Sequence, residues 1–583
     1  MRTGSDGTRA TTGETAALLL DAAASSAGGV RHGTALYTYA DIMDTGAPVS
    51  ARLTKLGAAP STVVAVSLPP GPRLLSAVFS VVSQGLCYLY VDPEWPRSYQ
   101  RDLLRWARAR YLVTEGAPGA SGLVCERVEA SDSWPEPLLP EDTMCLVATS
   151  GTTGVPKLVA MTQSGIARLA RGAEPIALSS SDRVLALAHP GFGASLWETW
   201  AAVTAGAELV VPTERYHSLS ELTGTVLDHS VSVAHLSAGI FRQLTSQDLD
   251  RLSSLRLLMT GGDTVSPASF TSAHAALEAS IVACYGCTEN TVFTSLYQAS
   301  PATRPDRPLP LGDPLPGTGV HVLDENLAPV EPGAHGELYV TGDGLTAGYA
   351  NSPEATEQRF LNLALGPGGS NVRAYRTGDL ARRDGQGGYE LCGRGDRQVQ
   401  VRGFRLELAD VELRLCAQPD VRDAHVLQVV RGEERELVAF VVQGGDGGGQ
   451  AALMDALRAG VPSYMVPDRI VELDSFPLTE RGKVDRRALE RLLEGGARVP
   501  AEDPGREDTE RVLRIWTEVL ERTDLGADDL FGDKGGHSLR ATRVLSRILS
   551  EFGVDVSVRD FYKDPTVRGT VRAIDRARGE ERV

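Results

Sequence analysis

The stretch Thr149–Lys157, read TSGTTGVPK, follows the apolar run Met144–Ala148 and restricts what this chain can be more than any other part of it. A strand-like run opens into a loop of glycines and small hydroxyls, which a proline and a lysine close. Glycine lets successive backbone N–H groups turn toward one anion, and the hydroxyls and the ammonium add further donors. That is the chemistry of a loop that wraps a triphosphate; the competing reading is an ordinary Ser/Thr/Gly-rich surface loop. It is not a Walker-type loop, because GxxxxGK followed by Ser or Thr does not occur in it.

The chain is 583 residues long, too long for one core, so about two to four domains are expected. Its 42% apolar and 23% charged residues describe a globular protein, and a net charge of −17 argues against a nucleic-acid partner. No apolar run has the length of a transmembrane helix, and the N-terminus lacks a basic-then-apolar leader, so no membrane association is expected. The seven cysteines are scattered, and Cys284 and Cys287 form a lone CxxC without the second pair that a zinc site wants. These features fit a reducing cytoplasm.

Residues 1–29 read as a flexible tail with one short helix near Glu14–Ala24. From Ala35 onward, strands (Val63–Leu68, Tyr88–Val91, Arg183–Ala188, Glu208–Val211, Val231–Leu236, Leu255–Met259) alternate with helices such as Pro72–Gln84. This rhythm predicts an α/β unit with a largely parallel sheet covered by helices. After Gly312 the chain becomes rich in strands and turns. From Asp396 to about Leu493 it mixes strands (Ala424–Val430, Glu436–Val442) with helices (Leu408–Ala417, Gln450–Arg458). A Gly/Pro/Glu linker follows, and then three amphipathic helices, Asp508–Leu520, Ser538–Phe552 and Thr566–Ala577. The expected division is a large part over 30–395, a small part over 396–494, a linker over 495–507 and a helical domain over 508–583.

Eight further stretches follow in order: GLCYLYVDPEWP (Gly85–Pro96), FGASLWE (Phe192–Glu198), YGCTE (Tyr285–Glu289), GELYVTGDGLTAGY (Gly336–Tyr349), YRTGDL (Tyr375–Leu380), GRGDRQVQVRGFRLEL (Gly393–Leu408), PSYMVP (Pro462–Pro467) and LTERGKVDR (Leu478–Arg486). Together with the first loop, the series resembles the acyl-adenylate-forming enzymes, and in particular the adenylation domains of nonribosomal peptide synthetases. The stretch DLFGDKGGHSLRATRV (Asp529–Val544) resembles the phosphopantetheine site of a peptidyl carrier protein. The resemblance implies large α/β subdomains, a small mobile α+β subdomain and a four-helix carrier bundle.

It also implies roles. Thr149, Ser150, Gly151, Thr152, Thr153, Gly154 and Lys157 would hold the phosphates of ATP. Tyr285 would lie against adenine, Thr288 would touch the α-phosphate, and Asp379 and Arg394 would serve the ribose. Glu289 would hold Mg2+, and Lys483 would bridge the substrate carboxylate and the α-phosphate as charge develops there. Asp396 would be the hinge on which the small subdomain turns after adenylation, withdrawing the lysine loop and presenting the region Gln400–Phe404. Ser538 would carry 4′-phosphopantetheine, added by a phosphopantetheinyl transferase. By motif position, Gly193, Ala194, Trp197, His235, Met259, Gly261, Cys284, Val292 and Phe293 would line the substrate pocket.

The expected activity is ATP-dependent activation of a carboxylic acid and its transfer to the carrier in cis. The chain ends just after the carrier helices, so a thioester passed to downstream tailoring or condensation enzymes is the expected product; an MbtH-like protein is a further expected partner. Gly193 stands where amino-acid-activating relatives have an aspartate that pairs with the substrate ammonium. An unpaired buried ammonium is costly, so an aryl or heteroaryl acid is expected first, and an α-keto or α-hydroxy acid next. Glu198 or Asp263 could compensate for the lost aspartate. A ligase using free CoA is disfavoured by the tethered carrier. Leu158, Gln163, Cys287, Arg481 and Lys534 depart from the family pattern. They motivate the alternative of a degenerate docking module in which only the carrier functions.

Overall fold

The computed structural model describes residues 20–580 apart from 22–23, 117–121, 130–138, 141, 150–154, 214–218, 305–307, 384–387, 395–397, 402–403, 419–420, 432–433, 444–448, 474–475, 478–483, 485, 495–506, 521, 523–524, 528, 533 and 537.

Two helix-covered sheets form the large part. In the first, the strands Tyr111–Glu115, Val63–Val66, Cys87–Tyr90 and Thr143–Thr149 run parallel in that order. Antiparallel strands, Leu123–Arg127 and Lys157–Thr162, close its two edges. In the second, the parallel core runs from Ser280–Tyr285 through Leu257–Gly261, Val233–Ser237, Arg183–Leu185 and Glu208–Val211 to Gly29–His32. Val63–Val66 and Cys87–Tyr90 are buried along their whole length, as parallel strands covered on both faces must be. The expected alternation is therefore present, with boundaries displaced by a few residues. The phosphate-type loop, however, sits in an antiparallel hairpin, where Thr149 pairs with Lys157. The return strand is a feature that the local pattern did not announce.

The core lies between the two sheets. The helix Pro72–Val82 starts on a proline that needs no intrahelical partner for its nitrogen. Its Phe79 meets Trp200, with ring centroids 5.8 Å apart, and Tyr39, at 6.3 Å. Trp197 and Trp200 belong to the helix Gly193–Ala205, which stops at Gly206 in a left-handed conformation with φ 65°. This helix carries the start of the FGASLWE stretch and anchors it in the core through Trp197 and Trp200.

An antiparallel sheet of Thr318–Leu323, His335–Gly342, Val372–Arg383, Phe360–Leu363 and Tyr389–Arg394 follows. The small part consists of the hairpin Gln398–Val401 with Phe404–Glu407 and a three-stranded sheet of Val421–Arg431, Glu434–Gln443 and Arg469–Leu473. The helices Leu408–Cys416, Gly449–Gly460 and Arg486–Glu494 accompany these strands. Among the described residues the C-terminal domain, the expected carrier, has four helices, Glu507–Leu520, Ser538–Phe552, Val558–Lys563 and Val567–Glu580. The short third one, capped by Ser557 Oγ, which accepts the Asp560 N–H at 3.1 Å, was not expected from periodicity.

The carrier encloses its own aromatic core. Trp516 meets Phe531 at 4.8 Å and Phe561 at 5.9 Å, and all three are fully buried. Trp516→Ala should destabilise the carrier by about 3–5 kcal/mol. In calorimetry this should lower or abolish the carrier's own unfolding transition and leave that of the large part in place.

Candidate active site

The site forms where the parallel strands of the second sheet end, the usual place for ligands in such sheets. The strand Ser280–Tyr285 delivers Tyr285, and Gly286 follows in a place where a Cβ would lie 1.9 Å from the Val292 carbonyl oxygen. The turn that comes next carries Thr288 and Glu289, then Thr291 and Val292 at φ 46° and 74°. Left-handed geometry is costly for a β-branched residue and persists only under many constraints. Those constraints are visible. Thr291 Oγ1 donates to the Gly344 carbonyl at 2.7 Å, Asn290 Nδ2 to Thr294 Oγ1 at 2.9 Å, and Thr346 N–H to the Glu289 carbonyl at 2.9 Å. The half-buried Arg168 guanidinium donates to the Phe293 carbonyl at 3.0 Å and the Asn290 carbonyl at 3.3 Å. Arg168 was not anticipated, since a lone arginine in a helix gives no sequence signal of what it reaches.

The residues expected to serve ATP converge on this turn. Tyr285 OH donates to Asp379 Oδ2 at 2.5 Å, while Arg394 pairs with Asp379 Oδ1 and also donates to the Thr377 carbonyl at 3.1 Å. Thr149 and Lys157 flank the loop mouth, and the Lys157 ammonium lies 5.7 Å from the centre of the Tyr349 ring. Ser150, Gly151, Thr152, Thr153 and Gly154, together with Asp396 and Lys483, lie outside the described residues. Ser538 is the first residue of its helix, and the description of it stops at the backbone.

The small part reaches into the same place. Arg405 Nη1 lies 2.6 Å from Glu289 Oε2, and its Nη2 donates to Tyr375 OH at 3.2 Å. Glu407 Oε1 lies 3.1 Å from Lys157 Nζ. Tyr349 OH donates to Glu289 Oε1 at 2.7 Å. Burial would push the Glu289 carboxyl up, but Arg405 and the hydrogen bonds outweigh it and hold it below the ordinary carboxylate value. Both Glu289 oxygens are thus engaged, and the side chain is 1% exposed. A hard cation wants open oxygen ligands and is repelled by a guanidinium. In this arrangement a cation at Glu289 would have to displace Arg405. Among the described residues no cluster of three His, Cys, Asp or Glu forms a metal site.

Several of the residues named for the pocket are neighbours. His235 pairs in register with Met259, and Gly261 with Cys284. Phe293 lies 5.9 Å from Trp197 and 5.7 Å from His235, ring to ring. A Cβ on Gly193 would stand 3.2 Å from Val292 Cγ2, so the turn itself crowds the position of the missing aspartate. Neither candidate substitute serves. Glu198 is wholly buried and accepts the Ala188 N–H at 3.0 Å, and Asp263 lies 2.6 Å from Arg435. Among the described residues, the buried Trp197 Nε1 and His235 Nε2 have no hydrogen-bond partner. Cys284 and Cys287 are free thiols, and burial pushes Cys287 up to about 12.

At the pocket mouth Phe404 stands 4.4 Å from Phe192 and 4.6 Å from Tyr464. Phe404 is the last residue of the region Gln400–Phe404. The carrier loop Gly532–Gly536 rests against the small part, near Arg458 and the Asp468 carbonyl, and the helix Ser538–Phe552 touches the helix Leu219–Asp228 of the large part. A Cβ on Gly536 would lie 2.2 Å from the Phe531 ring, so the glycine is needed to bring the chain into Ser538. Lys534 pairs with Asp529 within the loop, at 3.1 Å.

A cleft at the strand ends of a helix-covered parallel sheet, with a four-helix bundle in the same chain, defines the class. The chain matches the AMP-binding enzyme family over residues 14–350, its C-terminal domain over 410–483, and the phosphopantetheine attachment site family over 510–574. It belongs to the AMP-binding enzymes and carries a phosphopantetheine attachment domain. It is 35% identical over 568 residues to the probable non-canonical nonribosomal peptide synthetase CymA of Salinispora arenicola, covering 94% of this chain but 7% of CymA. The structure of holo-PA1221, an NRPS protein with adenylation and PCP domains bound to a vinylsulfonamide inhibitor, is similar at TM-score 0.78 and 30% identity, covering 92% of each chain. That of Klebsiella oxytoca NpsA with 3-hydroxyanthranilyl-AMSN is similar at TM-score 0.58 and 28% identity, covering 82% of this chain and 99% of NpsA. Among the described residues no helix is long and apolar enough to cross a membrane.

Burial lowers His235 from 6.5 to about 4. The unfolded chain then binds the proton first, so His235 removes stability as pH falls below about 6.5 and has no such effect at neutral pH. His235→Gln should flatten the loss of stability between about pH 6 and 4 in denaturant melts.

Proposed function

We propose that this chain joins a carboxylic acid to AMP and transfers the acyl group to the thiol of its own carrier domain, as a loading unit in nonribosomal peptide-type biosynthesis. The observation that carries the reading is the convergence of Lys157, Tyr285, Glu289 and Asp379 on one cleft beside the Trp197–His235–Phe293 pocket. In the first half-reaction a carboxylate oxygen attacks the α-phosphorus of ATP and pyrophosphate leaves. The protein supplies position and charge rather than covalent chemistry. Lys157 faces the leaving phosphates, Asp379 accepts the ribose hydroxyls, and Lys483 neutralises the developing charge between carboxylate and α-phosphate. In the second, the arm held at Ser538 supplies a thiol that displaces AMP. Gly536 and the Phe531 core set the start of the helix that holds it. The presence of all the charged groups of the cleft speaks against a degenerate docking module.

The acid lacks an α-ammonium in this reading. Gly193 offers no counter-charge, Val292 crowds that position, and Glu198 and Asp263 are engaged elsewhere. Flat apolar walls and the unpartnered Trp197 Nε1 and His235 Nε2 suit an aryl or heteroaryl acid with a hydrogen-bonding substituent, and next an α-keto or α-hydroxy acid. NpsA, whose structure holds a hydroxyanthranilyl group, lends the aryl choice support. A phosphopantetheinyl transferase, an MbtH-like protein and downstream tailoring or condensation enzymes are the proposed partners.

Pyrophosphate exchange over a panel of acids tests the reading: aryl acids should be turned over, and best turnover with a common L-α-amino acid would overturn the substrate assignment. Ser538→Ala should abolish covalent loading, read by intact-protein mass spectrometry, and leave exchange nearly unchanged. Lys483→Ala should slow adenylation by about two orders of magnitude or more, with little loss when acyl-adenylate is supplied; equal losses in both steps would remove its assigned role.

A further inference from the structure

Val292 is the central residue of a three-residue turn: its φ is 74°, and the Phe293 N–H donates to the Thr291 carbonyl at 3.0 Å. The left-handed form of this turn is rare and strained, and a β-branched side chain adds to the strain, whereas glycine adopts it freely. The surrounding backbone holds the turn in place. Thr291 is itself left-handed, at φ 46°, and its hydroxyl donates to the Gly344 carbonyl at 2.7 Å. The Val292 carbonyl oxygen lies so near Gly286 that a Cβ there would stand 1.9 Å away. Beyond the turn, the Thr294 N–H donates to the Tyr285 carbonyl at 2.8 Å. Strain that its surroundings over-determine in this way marks a side chain whose position matters.

What the strain places is an isopropyl group against the first residue of the helix Gly193–Ala205. A Cβ on Gly193 would lie 3.2 Å from Val292 Cγ2 and 3.9 Å from its Cβ and Cγ1, so a side chain at 193 and the isopropyl group compete for one space. Neither residue has a polar side-chain atom, and nearby Glu198 is turned to the Ala188 N–H. We propose that Val292 is a specificity-determining residue, a steric stop that closes the Gly193 end of the acid pocket to a heteroatom on the substrate's α-carbon. This inference rests on the adenylation reading, which puts the α-carbon at Gly193. It narrows the substrate to acids whose α-carbon bonds only to carbon and hydrogen, aryl acids first among them. An α-hydroxyl, α-keto oxygen or α-ammonium would lose its water there and meet methyl groups instead of a partner. Exclusion by an obstacle, and not only by a missing attraction, is how a pocket refuses close relatives of its substrate. A carboxylate at 193 therefore has room only where Val292 gives way.

Two measurements on the full chain test it. The first is a double-mutant cycle in thermal melts, which needs no substrate. Gly193→Ala should lower the Tm of the large part by about 2–4 °C in the parent. In a Val292→Gly background, whose glycine suits the turn and keeps the fold, the same change should cost nothing. The second is acid binding by calorimetry, with pyrophosphate exchange in parallel. Phenylacetic acid, mandelic acid, phenylglyoxylic acid and L-phenylglycine share a ring and differ at the α-carbon. The parent should prefer phenylacetic to mandelic acid by about tenfold or more, and Val292→Gly should erase most of that preference while still binding phenylacetic acid. Gly193→Asp alone should not gain L-phenylglycine, and Gly193→Asp combined with Val292→Gly should. Equal costs of Gly193→Ala in both backgrounds, an unchanged preference in Val292→Gly, L-phenylglycine accepted by Gly193→Asp alone, or a parent that binds no acid of the series would overturn the proposal. A parent that binds the acids in the expected order and exchanges none would sink the adenylation reading instead and leave the stop standing.

Discussion

Glu289 is a carboxylate almost sealed from water, and the surrounding architecture is arranged around keeping it charged. An isolated buried carboxylate would take up a proton; Arg405 and Tyr349 prevent this by filling its two oxygens. Arg405 belongs to the small part, so the charge state of the cleft depends on where that part sits. The same reasoning covers Lys157 and Glu407. Chemistry and domain position are therefore coupled through charge pairs, and a change in one must be felt by the other.

The turn that holds Glu289 also shapes the acid pocket. Its left-handed Thr291 and Val292 are kept in place by Arg168, Gly344 and Thr346, and Val292 in turn crowds Gly193. One strained segment thus serves the phosphate side and the acyl side of the cleft. That is an economical way to fix the distance between two reacting groups, since strain in a short turn transmits little slack. The helix Gly193–Ala205, anchored by Trp200 between the two sheets, supplies the opposing wall.

The carrier bundle stands on its own aromatic core, yet its Gly532–Gly536 loop lies against the small part and its second helix touches the large part. A bundle with its own core can be repositioned without unfolding. Contact through a glycine loop rather than through that core keeps the docking surface separate from what holds the bundle together.

The order of the motifs, the alternation of strands and helices, and the serine at the head of the helix Ser538–Phe552 were all readable in the chain. Each depends on local spacing: glycines where backbone must turn, apolar runs for buried strands, three-to-four periodicity for bundle helices. The hairpin that returns through Lys157, the short helix Val558–Lys563, and the roles of Arg168, Arg405 and Glu407 were not readable in the same way. RLE within GFRLEL looks like any strand with a charged face, and nothing nearby in sequence names its partners. Arg405 meets Glu289 across 116 positions and Glu407 meets Lys157 across 250. Local spacing determined which groups this protein owns; only the folding of the small part over the large one decided which charge faces which, because a charge pair is selected by distance in space.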